Sequence, residues 1–272
     1  MSRRGFLKLA MYGALVAAGS VDALAVEPRW LETTRHSVPL RRLPQELDGF
    51  TIAQLTDIHR GVVVPDNLIC SAVEIINGVS PDLVVATGDF VNRGASNAGP
   101  CAKILSGLSP RLGTYAVLGN HDHWTDPALV RGHLERSGIL VLGNANVRLA
   151  EGLTLLGVDD YWAGEPDFDK TWRGANVDDA HVLLSHNPMA VKEIDDRECF
   201  MIAGHTHGGQ VNLPIFTRHA LARFMGWKYL QGWFHVGKVT MYVSRGIGVV
   251  NPPVRFRCRP EIALFTLRSA QA

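Results

Sequence analysis

Five short apolar runs, each closed by a polar block that carries Asp, Asn or His, restrict what this 272-residue chain can fold into. Thr51-Ile52-Ala53-Gln54-Leu55 leads to Asp57-Ile58-His59, and Leu83-Val84-Val85-Ala86 leads to Gly88-Asp89. Tyr115-Ala116-Val117-Leu118 leads to Gly119-Asn120-His121-Asp122. His181-Val182-Leu183-Leu184 precedes Ser185-His186, and Phe200-Met201-Ile202-Ala203 precedes Gly204-His205-Thr206-His207. Runs of this length, rich in Val, Ile and Leu and ended by Gly or polar residues, read as buried strands. The carboxyl ends of such strands converge on one crevice in an α/β sheet.

Each block alone is unremarkable, because an Asp or His after a strand is usually a turn former or a satisfied polar group. Together they supply two Asp, one Asn and four His, the oxygen and imidazole mixture that a pair of hydrolytic metal ions requires. On an extended backbone Asp-x-His turns alternate side chains to the same side, so Asp57 and His59 are expected to face one ion. His205 and His207 do the same if their backbone stays extended, whereas a turn sends them to different ions.

These blocks resemble the calcineurin-like metallophosphoesterase superfamily, whose pattern runs D-x-H, G-D, G-N-H-D or E, H and G-H-x-H. The resemblance covers roughly Phe50 to Leu267. It implies one metal on Asp57, His59, Asp89 and His207, a second on Asp89, Asn120, His186 and His205, and Asp89 bridging the two. His121 corresponds to the family's catalytic histidine, a proton donor or electrostatic stabiliser, and Asp122 to the acidic neighbour that orients it. His123 has no place in the pattern. The expected cofactors are two divalent ions, with manganese, iron and zinc all suited to such ligands. The expected nucleophile is a metal-bound hydroxide, attacking phosphorus in line with the leaving oxygen.

Between the runs, Asp66 opens a helix over Asn67 to Asn77 with a wide apolar stripe, and Asp126-Pro127 opens another that Gly138 closes. Leu153 to Val158, Val239 to Ser244 and Ile262 to Leu267 read as later strands. That order suits the family's α/β architecture, a two-sheet β-sandwich flanked by helices in four layers.

Ser2-Arg3-Arg4-Gly5-Phe6-Leu7-Lys8, an apolar stretch from Leu9 to Val21 and Ala23-Leu24-Ala25 have the three-part layout of an export signal. The paired arginines resemble a twin-arginine signal, which implies the twin-arginine export machinery as a partner. Residues 1–25 are therefore expected to be the signal segment and residues 26–272 a single metallophosphoesterase domain, periplasmic or in the cell envelope. An uncleaved signal would instead hold the protein to the membrane. The balance of 27 basic against 26 acidic residues leaves no footprint for general nucleic-acid binding. Cys70, Cys101, Cys199 and Cys258 lack C-x-x-C spacing, which argues against a structural zinc or a thioredoxin-like role. In an oxidising compartment they could pair as disulfides in three connectivities, whereas folding before export favours free buried thiols.

Phe216, Phe224, Met225, Trp227, Tyr229, Leu230, Trp233 and Phe234 are interleaved with Arg218, His219, Arg223 and Lys228 after the last metal block. Such a mixture suits a lip that accepts a lipid-linked phosphate at a membrane or envelope surface, or else core beneath the second sheet. Ser244-Arg245-Gly246-Ile247-Gly248 offers backbone flexibility and a guanidinium, Arg245, to hold a substrate phosphate. With the signal and Gly204 to Gln210, it resembles a bacterial exported subgroup. The reading is a phosphodiester or pyrophosphate hydrolase acting on an envelope or lipid-linked phosphate ester. Its alternatives are the UDP-2,3-diacylglucosamine pyrophosphate hydrolase of lipid A synthesis and an envelope-binding metalloprotein without catalysis.

Overall fold

The computed structural model describes residues 11–12, 19–213 and 216–270. The apolar runs form β2 (Thr51–Leu55), β3 (Leu83–Thr87), β4 (Thr114–Val117), β8 (Ala180–Leu184) and β9 (Cys199–Ala203). They are buried on both faces, which is why their sequences run apolar throughout instead of alternating. The later strands are β7 (Leu153–Gly157), β11 (Val239–Val243) and β12 (Glu261–Ser269). Four further strands carried weaker signals: β1 (Glu32–Leu40), β5 (Ile139–Val141), β6 (Ala145–Ala150) and β10 (Gly232–Val236).

Two six-stranded mixed sheets result, in the orders β1-β12-β2-β3-β4-β5 and β10-β11-β9-β8-β7-β6. Strands β2 to β5 run parallel in the first, and β7, β8, β9 and β11 run parallel in the second. Ile52, Val85, Val117, Phe265, Leu155, Val182 and Phe200 fill the space between the sheets. On the outer face of the first sheet lie α1 (Asp66–Val79), α2 (Ala98–Leu105) and, beyond the short α3 (Asn120–Thr125), α4 (Pro127–Arg136). Both expected helix starts hold. Asp66 begins α1, and the Asp126 carboxylate accepts from Leu129 N–H at 3.0 Å to cap α4. The second sheet is covered by Val191, Ile194 and Tyr229, with α5 (Phe168–Trp172) along its edge. This is the expected sandwich flanked by helices.

Two polar groups tie the sheets together near the ends that carry the ligand blocks. Gln54 Nε2 on β2 donates to Thr87 Oγ1 at 2.8 Å and, across the sandwich, to Ala203 O at 3.0 Å. The Glu261 carboxylate, at the start of β12, accepts from Thr34 Oγ1 at 2.7 Å, from Tyr242 OH of β11 at 2.6 Å and from Arg245 N–H at 3.0 Å. Burial would raise this carboxyl, yet Arg245 and the hydroxyl donors hold it below its ordinary value.

Most of the expected signal segment lies outside the described residues. Near its end Ala23 O accepts from Arg255 N–H at 2.9 Å, and just beyond it the buried Glu27 carboxylate accepts from the backbone N–H groups of Arg257 and Cys258. Among the described residues no helix is long and apolar enough to cross a membrane. All four cysteines are free; Cys101, Cys199 and Cys258 are buried as expected, but Cys70 is exposed on α1.

Glu261→Ala should cost about 3 kcal/mol of unfolding free energy in urea titration, because a buried tyrosine hydroxyl and a guanidinium lose their acceptor together. Glu261→Gln should cost less, since it keeps an acceptor oxygen for Tyr242.

Candidate metal centre

The ligand blocks do not continue the extended conformation of their strands. Asp57, His59, Asp89, His205 and His207 all have positive φ, between 49° and 73°. A left-handed non-glycine residue costs about 1 kcal/mol, so five in one site mean that surrounding contacts over-determine the backbone. The expectation of an extended Asp57-Ile58-His59 is therefore corrected: successive left-handed turns, not pleat alternation, bring both side chains to one place. His207 begins a turn of 3₁₀ helix over His207–Gly209, and His205 and His207 join different groups of donor atoms.

Seven sequence-predicted side chains converge there, all buried. Asp57, His59 and His207 form one cluster of mutually close donor atoms, and Asp89, His186 and His205 form a second. Asp89 Oδ2 lies between them, 3.3 Å from His59 Nε2 and 3.2 Å from His186 Nε2. His207 Nε2 is 3.4 Å from Asp57 Oδ1, and Asn120 Oδ1 is 3.1 Å from His186 Nε2. Burial would raise the Asp89 carboxyl, but His186 and His59 hold it well below the carboxylate range. Burial, helped by the neighbouring histidines, pushes His59 down; burial with Arg255 and His186 pushes His207 down; and burial with the adjacent His186 pushes His205 to about 3. For His186, Asp89 outweighs burial and raises the imidazole.

The donor set fits two cations. Imidazole nitrogens lie 3.0 Å apart (His59 and His207) and 3.1 Å apart (His186 and His205), so each pair, when unprotonated at those atoms, can aim its lone pairs at one cation. Among the described residues no lysine or arginine bonds Asp57 or Asp89. Nitrogen and oxygen donors in two groups sharing one carboxylate suit a pair of divalent transition ions.

The supporting contacts revise two expected roles. Asp122 does not touch His121. Its buried carboxylate accepts from the N–H groups of Asp89 (2.8 Å), Phe90 (2.9 Å), Val91 (3.3 Å) and Gly119 (2.9 Å), and so pins the Asp89 loop to α3. Burial and the Asp89 carboxylate push Asp122 up to about 7. The group that orients His121 is the carbonyl of Asn92, which accepts from its Nδ1 at 2.7 Å. Asn92 escapes sequence reading because a backbone oxygen leaves no side-chain signature. His121 N–H also donates to Asp89 Oδ1 at 2.8 Å.

Arg245, expected to hold a substrate phosphate, is occupied elsewhere. Its Nη2 lies 2.8 Å from Glu32 and its Nε 3.3 Å from Glu261, so two carboxylates already neutralise it. Arg255, with no motif to mark it, is fully buried behind the site and donates to the carbonyls of Arg245, Gly246 and Cys258. Gly246 and Gly248 serve close approach instead of flexibility: a Cβ would lie 2.6 Å from Asp57 Cβ at Gly246 and 2.3 Å from Ile58 O at Gly248. His123, unplaced by the pattern, pairs with Asp159 at 2.8 Å.

Comparison with known proteins agrees with this geometry. The calcineurin-like phosphoesterase profile matches residues 50–222. The chain belongs to the calcineurin-like phosphoesterase family. This phosphoesterase is 34% identical to the uncharacterized metallophosphoesterase YkuE of Bacillus subtilis, over 99% of this chain and 98% of that one. It is 30% identical to the phosphodiesterase YaeI of Escherichia coli, over 98% and 99% of the respective chains. A transmembrane protein with metallophosphoesterase domain from Danio rerio is 31% identical over 96% of this chain and 61% of its own.

Asp122→Ala should destabilise the phosphoesterase by about 3 kcal/mol or more in urea titration, since four buried N–H groups lose their acceptor. In Gly119→Ala the new Cβ would meet Asp89 Oδ1 at 2.3 Å. The purified variant should hold markedly less metal than wild type by elemental analysis. Arg245→Ala should lose stability, with no rise in KM for a small phosphodiester beyond about twofold.

Proposed function

We propose that this phosphoesterase is a dinuclear-metal phosphodiester or pyrophosphate hydrolase, exported by a twin-arginine route, that acts on an envelope or lipid-linked phosphate. The observation that carries the hydrolytic reading is the pair of buried donor clusters sharing Asp89, with His121 at their rim. A role as a binding protein needs neither a shared carboxylate nor an oriented imidazole. The name of the YaeI relative supports a diester substrate. The apolar substrate portion is supported by α6 (Phe216–Met225), where Phe216, Phe224 and Met225 are exposed. Elsewhere in the segment Tyr229 and Leu230 are buried, while Trp233 of β10 stays partly exposed and stacks on Phe200 at 5.8 Å.

Asp57, His59 and His207 would hold one cation, Asn120, His186 and His205 the other, and Asp89 would contact both. Such a pair supplies Lewis-acid polarisation of the phosphoryl oxygens and a lowered pKa for a shared water. The chain supplies the rest. The His121 Nδ1–H donates to Asn92 O, which leaves Nε2 to carry a proton toward the leaving oxygen as negative charge builds there. Asp122 holds the Asp89 loop, and through it the separation of the two clusters.

Turnover of a chromogenic phosphodiester and a phosphomonoester by the full chain should depend on added manganese or zinc, and the diester should be preferred. Asp89→Ala should abolish it. His121→Ala should lower kcat by about 10²–10⁴-fold while metal content stays at the wild-type level. Turnover that persists in Asp89→Ala, or none from metal-loaded wild type on any ester, overturns the hydrolytic reading.

A further inference from the structure

Three tryptophans from three separate segments stand around the metal centre. Trp124 ends α3 with its ring centroid 5.0 Å from that of His121. Trp162, on the loop after β7, lies edge-on to His205 at 5.3 Å and to Trp124 at 5.7 Å. Trp227, just past α6, also meets the His205 ring, at 5.7 Å. Trp124 and Trp162 are 55% and 59% exposed, a large apolar area to leave in water beside a charged site.

Their exposure is built in. Asp160 Oδ2 accepts from Trp162 N–H at 2.9 Å and from Ala163 N–H at 2.7 Å, while Asp159 accepts from Glu165 N–H at 3.0 Å. The His123 to Asp159 pair at 2.8 Å then ties this loop to α3, which sets Trp124 against Trp162. A pinned loop that presents a large ring has already lost the freedom that binding would otherwise remove.

We infer that Trp124, Trp162 and Trp227 form a subsite for a hydrocarbon portion of the phosphate ester, an acyl or alkyl chain next to the scissile bond. This inference rests on the hydrolytic reading above and names the substrate class for that site. The ring geometry selects the class. Clamping a flat base takes two near-parallel rings, whereas Trp124 and Trp162 meet at 68°, Trp162 and His205 at 88°, and Trp227 and His205 at 61°. Such an angled wall follows the contour of a flexible chain. Phe224 and Met225, exposed one turn before Trp227, extend the same apolar surface away from the ions.

The test is a series of alkyl 4-nitrophenyl phosphodiesters, methyl, butyl and hexyl, with a benzyl ester as the aromatic arm, given to the manganese-loaded full chain. Wild type should show kcat/KM rising about tenfold or more from methyl to hexyl, consistent with partial burial of each added methylene. Trp162→Ala and Trp124→Ala, both at exposed positions, should each cut the hexyl-to-methyl ratio by about threefold or more. A flat series in wild type, a ratio unchanged in both variants, or a gain confined to the benzyl ester overturns the inference while leaving the hydrolytic reading intact. If none of these esters is turned over, the hydrolytic reading fails on its own, and tryptophan fluorescence decides the subsite. Hexylphosphonate should then bind about tenfold tighter than methylphosphonate to wild type but not to Trp162→Ala, and equal affinities overturn the inference.

Discussion

The structure depends on keeping the Asp89 carboxylate ionised while it is buried. Desolvating a carboxylate costs several kcal/mol unless positive charge and hydrogen-bond donors surround it. His59 and His186 approach one oxygen of Asp89, and the N–H of His121 meets the other. The Asp89 backbone is held in turn by Asp122, and Gly119 passes so close that any side chain there would occupy the same space. The left-handed residues follow from that requirement: a strand continued past its carboxyl end would carry its side chains away from the convergence point.

The two sheets supply the rigidity that makes such a strained cluster affordable. Their parallel strands carry the ligand blocks to one end of the sandwich, and Gln54 and Glu261 link the sheets near that end. The blocks after β2, β3 and β4 come from one sheet and those after β8 and β9 from the other. Packing of Ile52, Val85 and Val117 against Leu155, Val182 and Phe200 therefore sets the spacing of the two donor clusters. Cavities in this layer act on the site through the strand ends as well as on stability.

Much of this was legible in the chain because the relevant signals are local. Buried parallel strands must be apolar along their whole length, so β2, β3, β4, β8 and β9 stand out, and the donor residues lie directly after them. The strands β1, β5, β6 and β10 were less visible, being the four edge strands with mixed burial. The split of the aromatic segment, exposed on α6 and buried at Tyr229 and Leu230, was equally hidden, since an exposed Phe and a buried Tyr look alike in composition. Arg245 misled because a cation near a phosphate site suggests a ligand, while its partners Glu32 and Glu261 are distant in sequence.

The order and type of the donor residues determined the chemistry, because a pair of divalent ions selects carboxylate, amide and imidazole ligands whatever carries them. The same pattern determined the alternation of buried strands and turns, through the periodicity that burial on both faces imposes. The tertiary structure decided how those residues are held: left-handed turns at the strand ends, Asn92 behind His121, Asp122 beneath Asp89 and three tryptophans at the rim. Each of these depends on backbone groups or on side chains far apart in the chain. Their approach is set by how the two sheets and the helices pack, and packing at a distance leaves no pattern of fixed spacing.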